Sequence, residues 1–306
     1  MKVYLNGSFL PAEQAGISPF DRAFLFGDGV YEAMRVFDNV IVSGAAHVAR
    51  LRASMNAAGI TGFNPGDIIP LSRQLLRENN LTNASLYWQV SRGVSMPRRH
   101  LPDADITPTV FATATPALSL GEITGPSSLS VVLLPDERRL RCDIKATSLL
   151  PVILAKLAAD RAGADEALLY REPCLHADEP LSHADLMRRS RVTEAGSCNV
   201  FFVFNREKGC EIVTPPVNGT LLQGITRNLV MHLVPEIVER HVYCSEIWDA
   251  AEVILTGTTT LVAAVVKIND QLVGNGEAGP VANRLFAKLI DAIRHDVHKE
   301  VTYRNE

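Results

Sequence analysis

Lysine is scarce in this 306-residue chain. Of its 30 basic residues, only Lys2, Lys145, Lys156, Lys208, Lys267, Lys288 and Lys299 are lysines. The five cysteines, at 142, 174, 198, 210 and 244, form no close pairs and no metal-ligand spacing. Their odd number and scatter suit a reducing compartment rather than a disulfide framework. No apolar run is long enough to span a bilayer, and the first residues lack the apolar core of a signal peptide. Strong charge of either sign is also missing. A formal net charge of −4 gives no footing for nucleic acid or an anionic membrane surface. A soluble, cytoplasmic, globular protein is expected, and its length allows two domains.

Among so few lysines, Lys145 has a distinctive setting. The apolar run 129–134 reads as a strand. From 149 onward Leu150, Ile153, Leu154 and Leu157 recur at helical spacing. Lys145 therefore lies in a strand-to-helix connection, where a rigid scaffold presents side chains. Between Ile144 and an Ala-Thr-Ser-Leu-Leu run it is a candidate for a desolvated amine able to attack a carbonyl. A surface lysine paired with Asp143 is the plainer reading.

Along the chain, Asn6-Gly7 marks a hairpin within 3–10. Residues 21–32 hold two glycines around Asp28 with aromatics nearby. Strands follow over 34–42, paired around Asp38-Asn39, and helices over 47–60 and 67–78, the first with Val48, Leu51, Met55 and Ile60 inward and Arg50 and Arg52 elsewhere. Further strands are expected over 85–90 and 109–114. Between these two strands, Arg98, Arg99 and His100 form a cationic loop suited to a carboxylate. The Gly-, Pro- and Ser-rich stretch 116–128 holds the domain boundary. The small domain is set at 1–117, the linker at 118–123 and the large domain at 124–306.

In the second half, a short strand is expected over 166–170. A long polar connection, 171–191, has one helical turn at 183–188, and its His176 and His183 read as solvated. Glu194 stands at the entrance of a buried strand, 199–204, where a carboxylate needs a partner. Thr226 reads as the N-cap of a helix continuing to about 239, whose first amides could face an anion. A strand over 251–255 leads into a threonine run at 256–260. The last helix spans 280–297, with Leu285, Leu289 and Ile293 inward.

Six segments then occur in a familiar order: Asp-Arg-Ala-Phe-Leu-Phe-Gly-Asp-Gly-Val-Tyr-Glu at 21–32, His-x-x-Arg-Leu at 47–51, Asp-Ile-Lys at 143–145, Thr-Glu-x-x-Ser-x-Asn at 193–199, Gly-Ile-Thr-Arg at 224–227 and Thr-Gly-Thr-Thr at 256–259. Together they resemble the class IV, or fold type IV, pyridoxal-phosphate aminotransferases over nearly the whole chain. The Lys145 segment and the 98–100 loop make it most like the D-amino-acid aminotransferases. The resemblance implies a two-domain α/β (α+β) fold, with a small N-terminal domain and a larger, mixed, β-barrel-like domain. It implies pyridoxal 5′-phosphate as cofactor, no metal, and a homodimer.

By the same resemblance, Lys145 is the Schiff-base lysine and proton shuttle, and Glu194 pairs with the pyridine nitrogen. Arg50, Thr258 and the amides of Ile225 and Thr226 hold the phosphate, and Leu222 packs on the ring. Tyr31, with Arg98 and His100 from a neighbouring subunit, would bind the substrate carboxylate; Arg35 is the alternative. The implied reaction is transamination of a D-amino acid, such as D-alanine, with a 2-oxo acid, such as 2-oxoglutarate. A branched-chain L-amino-acid aminotransferase and 4-amino-4-deoxychorismate lyase share the fold. Residues 146–150 lack the tyrosine usual in the branched-chain enzymes. A non-catalytic cofactor carrier would not need the intact Lys145, Glu194 and Arg50 set. The chain departs from the family pattern at Ala23, Cys198, Leu261, Ala263 and Ala264, and most in the long 171–191 connection.

Overall fold

The computed structural model describes residues 1–138, 140–173 and 182–305, with side chains up to 297. His176, read as solvated, lies outside the described residues. Two compact units emerge: 1–123 with 144–149 and 292–306, and 124–143 with 150–291.

The first unit begins with β1 (Lys2–Leu5) and β2 (Ser8–Pro11), paired through the expected Asn6-Gly7 turn; both turn residues have positive φ, 47° and 93°. A short helix α1 (Arg22–Phe26) precedes β3 (Gly29–Phe37) and β4 (Val40–Ile41). Then come α2 (Gly44–Ala58), α3 (Ile68–Glu78), β5 (Ala84–Ser91) and β6 (Thr109–Pro116). The strands form an antiparallel sheet ordered β2-β1-β6-β5-β3-β4. Its residues alternate as the pleat demands. Val30, Met34, Leu86, Trp88 and Val90 enter the core with Leu51 and Met55 of α2 and Leu75 and Leu76 of α3. Trp88 satisfies its buried N–H by donating to Ser72 Oγ at 2.8 Å. Tyr31, Arg35, Ser85, Tyr87 and Gln89 belong to the other set of alternate positions.

The second unit carries β7 (Ser127–Pro135), α4 (Leu150–Arg161), β8 (Glu166–Arg171), α5 (His183–Arg189), β9 (Arg191–Ala195), β10 (Asn199–Arg206) and β11 (Gly209–Thr214). It continues with α6 (Ile225–Leu233), β12 (Val238–Glu239), β13 (Glu252–Gly257), β14 (Leu261–Ile268), β15 (Gln271–Leu272) and α7 (Pro280–Asn305), whose end belongs to the first unit. The mixed sheet runs β12-β11-β10-β13-β14-β7-β8-β9, with β15 on β14. A tight turn joins β9 to β10, where Ala195 N donates to Cys198 O at 2.8 Å. Edge strand β9 thus returns beside β10, and the sheet curls into a half-barrel. Strands β7 and β8 are parallel, which requires a crossover, and α4 lies in it.

Three expectations are corrected. Helix α6 ends at Leu233 rather than about 239, because Pro235 disfavours helical backbone at Val234. Its N-cap is Gly224, so Thr226 lies within the first turn and caps nothing. Strand β14 was not expected. It is buried among neighbours, and its run 261–266 is continuously apolar rather than alternating. Helix α4 forms where the stripe of Leu150, Ile153, Leu154 and Leu157 predicts it, yet that stripe is exposed, from 45 to 65%. Ala155 and Ala159 pack instead against Ala167 and Leu169 of β8. No helix among the described residues is long and apolar enough to cross a membrane.

Candidate active site

In the first unit, residues 145–147 run alongside the start of β3 as a short extra ribbon. Tyr31 N donates to Lys145 O at 2.9 Å, and Thr147 N to Gly29 O at 2.9 Å. The Thr147 hydroxyl adds a bond to Gly27 O at 3.0 Å. Gly27 has φ +67°, and a Cβ there would sit 2.9 Å from Ser148 Cβ, so this approach requires glycine. The ribbon puts Lys145 Nζ 4.3 Å from the centroid of the Tyr31 ring. Asp143, the partner in the plainer reading, is taken by the Arg141 guanidinium at 2.7 and 2.9 Å.

Glu32, the next residue of β3, is fully buried on the core side. Arg50 Nε donates to its Oε1 at 2.7 Å and Arg50 Nη2 to its Oε2 at 2.8 Å. His47 Nδ1 lies 2.7 Å from Oε2. Burial works to raise the Glu32 pKa, but the Arg50 and His47 hydrogen bonds and charges outweigh it and hold it at about 2. Glu32 is therefore a carboxylate, and His47 Nδ1 must carry the proton it shares. Burial pushes the His47 pKa down against the pull of Glu32. The three partners of this wall, His47, Arg50 and Ser54, recur every three or four residues along one face of α2. Ser54 Oγ accepts from Lys145 N at 3.2 Å. Helical spacing set Arg50 apart from the inward-facing residues, yet its fork turns onto a buried carboxylate.

The carboxylate-loop residues gather elsewhere in the same unit. Buried Arg22 donates to Arg99 O and His100 O, both at 2.7 Å, and to Asp28 Oδ2 at 2.7 Å. Arg98 Cζ stands 4.4 Å from the Phe26 centroid and the His100 ring 5.5 Å from it. Tyr31 stands with Tyr87, ring centroids 5.7 Å apart. Burial, with Tyr31 adjacent, pushes Tyr87 up to about 12, so it keeps its proton at neutral pH. Arg35 is buried; its Nη2 donates to Leu118 O at 2.6 Å, while its Nε has no partner among the described residues.

In the second unit, Glu194 lies on β9, 5% exposed. Arg138 Nη1 donates to its Oε1 at 2.5 Å and Leu222 N to the same oxygen at 3.0 Å. Asn199 Nδ2 donates to its Oε2 at 2.9 Å and also to Leu222 O at 2.9 Å. Asn199 leaves no room for a side chain at position 224: a Cβ on Gly224 would meet its Oδ1 at 1.8 Å. Thus Glu194, Leu222 and the start of α6 are tied together. The first amides of α6, at Ile225, Thr226 and Arg227, are those that helix geometry leaves without an internal acceptor. Arg227, last of its motif, is structural. It is buried and donates to Pro215 O and to Thr214 Oγ1, and pairs with Glu239. Thr258 is half-buried in the turn between β13 and β14.

Behind Glu194 stands a second ion pair. Asp136 accepts from Arg138 Nε and Nη2, both at 2.9 Å, from Thr193 Oγ1 at 3.0 Å and from Arg171 Nε at 3.3 Å. Burial raises the Asp136 pKa, but Arg138 dominates and lowers it. Burial likewise opposes the charge on Arg138, and Asp136 with Glu194 more than restores it.

The chain matches the family described as amino-transferase class IV over residues 29–268. It belongs to the class IV aminotransferases. It is 33% identical to a D-alanine aminotransferase of Bacillus licheniformis, over 98% of this chain and 100% of that one. A D-alanine aminotransferase of Staphylococcus haemolyticus is 32% identical, over 95% and 98% of the two chains. Among solved structures, a branched-chain aminotransferase from Thermoproteus uzoniensis superposes with TM-score 0.79 at 21% identity, over 99% of this chain and 97% of that one. The Escherichia coli branched-chain enzyme gives 0.78 at 22%, over 93% and 91%. At such identities these neighbours speak for the fold, which is that of the fold type IV aminotransferases.

Two parts of this class IV aminotransferase escaped the sequence reading. Arg138 and Asp136 lie in a polar stretch, Asp-Glu-Arg-Arg, with nothing to separate a buried pair from a solvated one. Glu32 was noted only as the end of a motif. A usable signal was present: a charged residue at an inward position of an otherwise apolar strand, with His and Arg three apart on the following helix.

Proposed function

We propose that the protein transaminates a D-amino acid, such as D-alanine, with a 2-oxo acid, such as 2-oxoglutarate, using pyridoxal 5′-phosphate. The hand of the substrate rests on the nearly full-length likeness to D-alanine aminotransferases, the cofactor on the family and the donor set. The observation that carries the chemistry is Glu194, a buried carboxylate held by Arg138, which is itself anchored on Asp136.

The donor set fits that cofactor. A carboxylate fixed in an ionised network suits a protonated pyridine nitrogen. The opening amides of α6 and the Thr258 hydroxyl suit a phosphate. The buried Thr256 hydroxyl, in register with Asn199, has no partner among the described residues and offers one more donor. When bound, the cofactor supplies an electron sink for the negative charge left at the substrate α-carbon.

The residues supply the rest. The Lys145 amine would hold the cofactor aldehyde and, once free, would move the substrate's α-proton, serving as base and then acid. The Tyr31 ring against Nζ restricts the directions the amine can take. Glu194 keeps the ring nitrogen protonated. Leu222, whose amide and carbonyl are both tied to this network, packs on the ring. Arg50 contributes a fixed positive charge for the phosphate, oriented by Glu32. Tyr31, with Arg98 and His100 supplied by a second subunit, binds the substrate carboxylate. The exposed stripe on α4 supports assembly as a homodimer, since apolar surface of that kind favours a protein partner.

Steady-state kinetics on both enantiomers test the reading. D-alanine with 2-oxoglutarate is expected to give the higher kcat/KM; a higher value for L-leucine would overturn the hand. Arg98→Ala should weaken D-alanine through KM, by about 1.5–3 kcal/mol for a lost charged contact.

A further inference from the structure

The loop at 98–100 holds three basic side chains in succession, and the first unit treats them differently. Arg99 is committed: its Nη2 donates to Asp103 Oδ1 at 2.6 Å, and Ser95 Oγ donates to the other oxygen of that carboxylate at 2.6 Å. Those two bonds close the loop on itself. Arg98 instead stands over the Phe26 ring, its Cζ 4.4 Å from the centroid. A guanidinium resting on a ring keeps its N–H groups in its own plane, directed past the ring. His100 shares the same ring, centroids 5.5 Å apart. Phe26 is thus a common platform for the two residues read as the carboxylate trap. A third group meets it: Arg22 Cζ lies 4.8 Å from the centroid. Arg22 is buried, and its two terminal nitrogens donate to Arg99 O and His100 O, both at 2.7 Å. These carbonyls flank the His100 Cα, so one guanidinium holds the backbone on both sides of that residue.

The remaining nitrogen of Arg22, Nε, donates to Asp28 Oδ2 at 2.7 Å, and Arg92 reaches both oxygens of Asp28, at 2.8 and 3.0 Å. Arg92 in turn donates to Ala58 O and Gly59 O, both at 2.7 Å, at the end of α2. Every nitrogen of Arg22 is therefore used to fix the loop against the helix that carries Arg50. Burying a guanidinium is costly, and a chain that needed only to close this loop already has Asp103 to do so. We propose that Arg22 is a positioning residue for substrate binding: with Phe26, it sets the Arg98 guanidinium and the His100 imidazole at the spacing a substrate α-carboxylate requires. The proposal rests on the reading of Arg98 and His100 as that carboxylate's partners. Arg22 does not touch substrate. It acts on His100 through the backbone and on Arg98 through the Phe26 ring. Donors held in place lose little freedom when the carboxylate arrives, so affinity falls when the holder is removed although both donors remain.

The test is steady-state kinetics with D-alanine and 2-oxoglutarate on the cofactor-loaded Arg22→Gln variant, in which Asp28 keeps Arg92. KM for D-alanine should rise about tenfold with kcat little changed, and the affinity for pyridoxal 5′-phosphate should stay at the wild-type value. Adding Arg98→Ala to this variant should raise KM much less than Arg98→Ala does in wild type, because the displaced guanidinium has already lost its contact. Phe26→Leu should raise KM in the same way, whereas Phe26→Tyr, which keeps the ring, should leave it near wild type. An unchanged KM in Arg22→Gln overturns the proposal. So does a loss of kcat or of cofactor affinity as large as the rise in KM, or full additivity with Arg98→Ala; either leaves Arg22 a residue of the fold alone. If Arg22→Gln fails to fold, Phe26→Leu takes its place in the same cycle, and a wild-type KM or additivity there overturns the proposal. Arg98→Ala by itself separates the two claims. If it leaves KM unchanged, the carboxylate trap is wrong and the positioning role goes with it; if it raises KM while Arg22→Gln does not, only the positioning role is refuted.

Discussion

Each unit of the molecule buries a glutamate against an arginine, and the two are built differently. Glu32 receives its partners from one short stretch: His47 and Arg50 stand one turn apart on α2, and both reach nearby β3. Glu194 receives donors from positions 138, 199 and 222, segments far apart in the chain, and its arginine is fixed in turn by Asp136. The first is a compact strut on the core face of a sheet. The second is a series of charges reaching from Arg171 through Asp136 and Arg138 to Glu194. A strut needs only to keep one charge oriented. A series fixes Glu194 from several segments at once, which suits the role proposed for it beside a protonated ring nitrogen.

The sharpest separation of chemistry from scaffold comes from Lys145→Ala. Both the covalent hold on the cofactor and the proton shuttle go, and turnover should fall by orders of magnitude while both glutamate clusters remain. Borohydride reduction and peptide mapping of the wild-type protein check the assignment; label on Lys156 would refute it.

Next in size is removal of an arginine from each cluster. Arg138→Met leaves buried Glu194 without its guanidinium and Asp136 with Arg171 as its remaining cation, and should cost about 3–5 kcal/mol of stability, read by denaturant melts. Arg50→Met leaves Glu32 with His47 alone and should cost a similar amount. The two variants part company in the reaction. Glu194→Gln, which keeps shape but loses charge, should slow transamination with the fold intact, and near-wild-type rates there would remove Glu194 from its role. The corresponding Glu32→Gln should change turnover far less.

The smallest effect is on acid stability. The folded-state pKa of Glu32, about 2, lies below the ordinary 4.5, so its contribution is full above that ordinary value and is lost as pH falls toward 2. His47, also depressed, acts in the same direction at higher pH: the unfolded chain binds a proton near pH 6.5 that the folded chain refuses. Unfolding free energy measured from pH 7 to 3 should therefore decline in wild type, and less steeply in Glu32→Gln. Equal slopes would show that Glu32 is not held as the geometry describes.

Local signals carried much of the fold. Asn6-Gly7 dictated a hairpin because only residues tolerant of positive φ close so short a turn. The periodicity of 47–60 and 67–78 yielded α2 and α3. Lys145 was placed between strand and helix by the change of period around it. Where the sequence misled, the cause was context. The continuously apolar β14 has no alternation to reveal it, since sheet neighbours and packing cover it on both faces. The α4 stripe is exposed although its spacing is that of an amphipathic helix, because spacing reports that residues share a side, not what that side meets.

By itself, the sequence determined the elements whose pattern is local and, through six ordered motifs, the family. Tertiary structure alone decided that Arg50 turns to Glu32, that Gly224 rather than Thr226 opens α6, and that Arg138 with Asp136 stands behind Glu194. The reason is physical. A charged side chain a few residues from an apolar run carries no mark of burial. Its energy depends on whether a distant segment brings an opposite charge within hydrogen-bond reach.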